Sequence, residues 1–125
     1  MRTALHLIII TALVLLTASC SQQHKAESLV KEYMKAHLKD AESLTIVEFS
    51  DIDSTKSISD SLLSRIQERA RACKHYQADL PFAPSPASKK LIFSRVAYKL
   101  NGEEHTDTYY MDENLEGVVA VKNNE

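Results

Sequence analysis

The chain has no tryptophan, two glycines, three prolines and two cysteines in 125 residues. Each scarcity excludes something. Gly102 and Gly117 are too few and too far apart for a glycine-rich phosphate loop, and both read as turn residues. Cys20 and Cys73 form neither a Cys-x-x-Cys pair nor a disulfide framework. The histidines are scattered, and no His-Glu-x-x-His or calcium-loop spacing occurs, so no metal site and no cofactor is expected. Charge of one sign is also missing. The formal net charge is −2, and setting aside Arg2, the one charge in residues 1–19, makes it −3. That balance argues against nucleic acid as a partner, because phosphate backbones select strongly basic surfaces.

The chain does hold one concentrated apolar run. After Arg2, residues 4–18 are almost wholly apolar, broken by His6, Thr11 and Thr17. The run is shorter than the roughly 20 residues that span a bilayer. A basic start, a short apolar core and small residues before a cut are the layout of an export signal.

Leu16-Thr17-Ala18-Ser19-Cys20 resembles the lipobox of bacterial lipoproteins. The resemblance covers about the first twenty residues, and it departs from the usual pattern in having Thr17 three places before the cysteine. It implies cleavage between Ser19 and Cys20 and lipidation of Cys20. It also implies a membrane contact made by the lipid, and Ser21 after the cysteine implies the outer membrane, facing the periplasm. Residues 1–19 are therefore expected to be a signal peptide, 20–25 a lipidated cysteine with a polar tether, and 26–125 one domain. An ordinary signal peptidase would also accept Thr17 and Ser19. Cys20 would then be available to pair with Cys73, giving a secreted or periplasmic ligand-binding or inhibitor-like module. If Cys20 is lipidated, Cys73 reads as a small apolar core residue.

Downstream, periodicity predicts a helix over 26–39, with Leu29, Val30, Tyr33, Met34, His37 and Leu38 on one stripe. Residues 44–49 read as a strand whose buried face is ambiguous, and 50–56 as a loop. Ser57 with Asp60 suggests the start of a second helix. Its stripe is Ile58, Leu62, Leu63, Ile66, Ala70 and Cys73, and it runs to about Tyr76. The three prolines of 81–86 exclude helix and central strand and predict an extended crossover pinned by Phe82. Residues 91–100 form the clearest strand. Asn101-Gly102 predicts a two-residue type I′ hairpin, which places Lys99 opposite Glu104. A turn over 112–117 leads to a short third strand over 118–121. The expected fold is α+β, two helices packed on one face of a small antiparallel sheet ending in a β-meander.

The hairpin register puts Asp107 opposite Val96 on the apolar face, a conflict in the pattern. His105, Asp107 and Tyr109 alternate along one strand and share that face with Tyr98. Together they are the candidate polar surface, with a small pocket or proton-transfer site as the sharper reading. Cys73 and His75 are the nearest soft-ligand pair, but an offset of two on a helix would aim them apart. The body is similar to small bacterial envelope lipoproteins, a likeness of architecture that carries no functional residue. The expected role is a non-enzymatic binding module whose partner is an envelope protein or cell-wall component.

Overall fold

Helix α1 is Arg2–His37, and the computed structural model describes residues 20–124 in full. After α1 come a single 3-10 turn (Ala41–Ser43), β1 (Thr45–Phe49), β2 (Asp53–Thr55), α2 (Asp60–Arg71), β3 (Leu91–Leu100), β4 (Glu103–Met111) and β5 (Val118–Asn123). The expected α+β fold is present. The strands form one antiparallel sheet in the order β1-β3-β4-β5, with β2 also pairing with β3, and β3-β4-β5 are a meander. The expected signal peptide, residues 1–19, lies outside the described residues.

The residues expected to be a loose tether are helical. Residues 20–25 continue α1 without interruption, and Ala26 is already fully buried. Gln23 locks this turn to the loop after β1: its amide donates to Ser50 O at 3.1 Å and its carbonyl accepts from Ile52 N at 2.8 Å. A polar composition had suggested a linker, but long-range hydrogen bonds order these residues.

The buried stripe of α1 is Ala26, Val30, Met34 and Leu38, spaced four apart, with Leu29 and Tyr33 half-buried at its edge. It packs on the sheet face formed by Val96, Tyr98, Leu100, Tyr109, Met111 and Val121. α2 begins two residues later than its sequence suggested. Ser59, not Ser57, is the N-cap, and its hydroxyl accepts from Leu62 N at 3.1 Å. α2 also ends at Arg71, short of Tyr76. Leu63, Ile66 and Ala70 are buried, while Leu62, assigned to the stripe, is 44% exposed.

α2 lies along β5, the edge of the sheet, and Gln67 donates to Val119 O at 2.8 Å. The proline-rich segment covers the start of the same edge, with Ala83 N donating to Val118 O at 2.8 Å. An edge strand with unpaired backbone groups invites intermolecular pairing, and here both helix and crossover occupy it.

β1 explains its own ambiguity. Ile46 pairs with Tyr98 but Glu48 pairs with Ala97, so Val47 is the extra residue of a β-bulge. Ile46 and Phe49, three apart, both turn toward the core, while Val47 is 60% exposed. Asp53–Thr55, read as loop, is a short strand against β3. The β3-β4 hairpin has the expected register, Lys99 opposite Glu104, with Asn101 at φ 52° and Gly102 at φ 79° as a type I′ turn requires.

Candidate functional site

Asp107 is opposite Val96, as the register required, and it is fully buried. A carboxyl group in an apolar layer costs several kcal/mol unless donors meet it. Two phenols do. Tyr98 comes from the neighbouring strand, and Tyr76 from the segment after α2. Each donates its hydroxyl to the same oxygen, Asp107 Oδ2, at 2.5 Å. The hydroxyl of Tyr109 is 2.5 Å from that of Tyr76. Asp107 Oδ1 has no hydrogen-bond partner among the described residues.

Burial is the main cause that raises the phenol pKa of Tyr76, Tyr98 and Tyr109 well above the ordinary range. The negative charge of Asp107 acts in the same direction on all three. At Tyr109 the bond to Tyr76 partly opposes the rise. All three therefore hold their protons at neutral pH, and this permits a proton inventory. Tyr76 and Tyr98 each own one hydroxyl proton, and each gives it to Asp107. Tyr109 must then donate to the oxygen of Tyr76.

The inventory continues outward. His75 Nε2 is 2.9 Å from the Tyr98 hydroxyl and 3.9 Å from Asp107 Oδ2. Tyr98 has no second proton to offer, so Nε2 carries the hydrogen and donates it. In the neutral ring Nδ1 is then an acceptor, and Cys73 Sγ lies against the ring, 3.3 Å from Nδ1 and 3.7 Å from Nε2. The ring of His105 stacks on that of His75 with centroids 4.2 Å apart. Asn123, on β5 opposite Asp107, places its amide nitrogen 3.7 Å from Cys73 Sγ.

The local fold makes this possible. α2 stops at Arg71, and Ala72 is its C-cap. Cys73, His75 and Tyr76 therefore sit in a turn, closed by Tyr76 N donating to Cys73 O at 3.2 Å. The turn is fastened to the end of α1 by the bridge between Leu38 and Tyr76, with Lys39 N donating to His75 O. An offset of two separates Cys73 from His75 only on a helix, and α2 ends before these positions.

The four residues expected on a polar surface are thus brought together, but not as a surface. Tyr98, Asp107 and Tyr109 are buried beneath α1, and His105 is half-buried at their margin. Sequence reasoning missed Tyr76 and Asn123, and it set Cys73 and His75 aside as a pair that a helix would aim apart. Tyr76 and Cys73 had been assigned to helix α2. A third strand ending at 121 leaves Asn123 out, although β5 extends to it.

The outer end of the cluster opens into a cleft of about 430 Å³. Cys73, His75, His105 and Asn123 line its inner wall, and Lys39, Lys74, Asp40 and Glu103 its rim. Two basic and two acidic residues leave the rim without a dominant sign. Among the described residues, no group of three or more His, Cys, Asp and Glu is placed to hold a metal ion. Compared with known proteins, the chain matches no family model, no curated protein and no solved structure.

Proposed function

We propose that this chain is a small envelope lipoprotein, anchored through Cys20, whose domain is a non-enzymatic interaction module. Support for the anchor comes from the apolar run and the lipobox-like residues before Cys20. The observation that carries the reading is the position of Cys20. It is exposed at the point where α1 enters the domain, and the ordered turn after it joins the anchor to the core without slack.

This geometry gives the domain an orientation. Cys20 and His37 are seventeen residues apart on one helix, about 25 Å at 1.5 Å per residue. The cleft beside Lys39 is at the far end of α1 from Cys20. An acylated Cys20 at a bilayer would therefore hold the cleft away from the lipid, toward an envelope protein or cell-wall component. Two or more acyl chains would hold it there stably, since one chain binds only marginally.

The same distance opposes the alternative with a Cys20–Cys73 disulfide. Cys73 packs beside the C-terminal end of α1, through the turn that bridges Leu38, and neither cysteine is in a disulfide. A disulfide needs Cα atoms within about 7 Å. Reaching it would require unwinding most of α1.

The test compares the wild type with Cys20→Ala in cells, by fractionation and intact mass. The expected result is a diacylglyceryl-sized addition on Cys20 and partition with membranes, both lost in the variant. A variant that stays with membranes like its parent, with no acyl group on the parent, overturns the reading.

A further inference from the structure

We propose that Cys73 is a nucleophilic thiol, served by His75 as its base, that forms mixed disulfides with small disulfide molecules entering the cleft. The proposal is independent of the anchor at Cys20.

Three features carry it. The first is the contact of nucleophile and base: Cys73 Sγ lies against the His75 ring, 3.3 Å from Nδ1, the nitrogen that the proton inventory leaves as an acceptor, and 3.7 Å from Nε2. The second is the group behind the base. Nε2–H donates to the Tyr98 hydroxyl, which donates to buried Asp107. A base oriented by a third group through its other nitrogen is the arrangement that activates thiols and hydroxyls. Here a phenol relays between histidine and carboxylate, and Asp107 Oδ2 is 3.9 Å from Nε2. The third is access. Cys73 and His75 are half-buried and line a cleft with room for a small molecule.

The neighbouring charges are mixed. Cys73 lies just past the C-terminus of α2, where the helix dipole disfavours an anion. Lys39 and Lys74 on the rim act the other way, and Asp40 and Glu103 offset them. From the sheet, His105 stacks on His75, and the Asn123 amide can donate to a thiolate at Cys73. These charges oppose one another, which leaves the base as the group the proposal relies on.

The chemistry of the setting selects disulfides. In the exchange, the Cys73 proton passes to His75 Nδ1 and the sulfur forms a bond to one sulfur of the disulfide. The old sulfur–sulfur bond breaks, its electron pair leaves on the departing thiolate, and that thiolate collects the proton from His75. The protein thiol is oxidised and one half of the disulfide is reduced, so electrons balance. No oxyanion develops, so the step needs only a thiolate and a proton for the leaving sulfur. Those are the two things the Cys73–His75 pair supplies.

The test follows mixed-disulfide formation on the intact chain with dithiodipyridine, assigning the site by peptide mass. Rates are measured from mildly acidic to alkaline pH, in the folded and the urea-unfolded protein. At roughly pH 5–6 an ordinary thiol is almost wholly protonated. There the folded wild type should react at Cys73 about 10-fold or more faster than the unfolded chain, and His75→Gln should lose that advantage. Tyr98→Phe keeps Cys73 and the imidazole but removes the oxygen that accepts from Nε2. It should lower the acid-side rate several-fold while its alkaline rate stays close to the wild type. A folded rate at acidic pH no higher than the unfolded one overturns the proposal. So does a His75→Gln or Tyr98→Phe pH profile that superimposes on the wild type.

Discussion

Replacing Tyr76 by Phe should cost far more stability than the same change at Tyr109, although both phenols are fully buried in one cluster. The asymmetry follows from the direction of the hydrogen bonds. Tyr76 donates to Asp107 and accepts from Tyr109. Losing its hydroxyl removes a bond to a carboxylate, worth about 1.5–3 kcal/mol, and strands the Tyr109 donor in an apolar layer, for roughly 1–3 kcal/mol more. With some relaxation of Tyr109, the total is about 3–5 kcal/mol. Losing the Tyr109 hydroxyl removes one neutral bond, worth about 0.5–1.5 kcal/mol, and strands no donor. Placing Tyr109→Phe on top of Tyr76→Phe should then restore about 1 kcal/mol, because the stranded group is gone. Urea unfolding of the four proteins, read as midpoints at unchanged slope, measures this directly. Equal costs for the two single variants, or additive losses in the double variant, would refute the direction assigned to the Tyr109–Tyr76 bond.

Two further predictions come from other parts of the fold. Above pH 10 stability should fall steeply, because the unfolded tyrosines ionise near 10.0 while Tyr76, Tyr98 and Tyr109, with folded pKa values raised by burial, do not. The folded state then binds more protons than the unfolded one. Its advantage is complete below the unfolded value and is lost as pH climbs toward the folded ones, by about 4 kcal/mol at about pH 11 for three groups; denaturant midpoints at pH about 9 and 11 check it. Gly117→Ala should destabilise, because a Cβ there would meet the Ala83 Cβ at 2.6 Å and push the proline-rich segment off β5. Ala83→Gly should recover most of the loss in thermal melts, and failure to recover would place the strain elsewhere.

How much of this was legible in the sequence varies with the range of the cause. The β3-β4 hairpin was readable to the residue, because Asn101-Gly102 fixes a turn and the turn fixes a register. Helix α1 was readable downstream of Ala26, where a four-residue spacing of apolar side chains is the signal. Its upstream turn was not. Residues 21–25 are polar, and what orders them is Gln23 reaching a loop 27 and 29 positions away. β1 defeated a two-residue period because one residue is bulged out of it. The end of α2 was placed too late, since Cys73 and Tyr76 continue an apolar spacing while serving a turn that pairs with the end of α1.

The conflict at Asp107 connects these partial successes. A hairpin register set by local turn chemistry placed an acidic residue on the apolar face, and nothing local could accommodate it. The accommodation is tertiary. One donor comes from the neighbouring strand, and the other from a segment 31 residues upstream, brought in by the turn after α2. A chain selected for stability alone would gain by an apolar residue at this position, since breaking even with a buried charge demands nearly ideal partners. Asp107 falls short of that ideal, with Oδ1 unpartnered among the described residues. What the carboxylate supplies beyond packing is polarity transmitted outward, through Tyr98 to His75 and from His75 to the thiol at the cleft. The irregularity visible in the sequence and the cleft are therefore joined by one line of contacts, hydrogen-bonded from Asp107 through Tyr98 to His75, and substitution of Tyr98 tests whether its two ends act together.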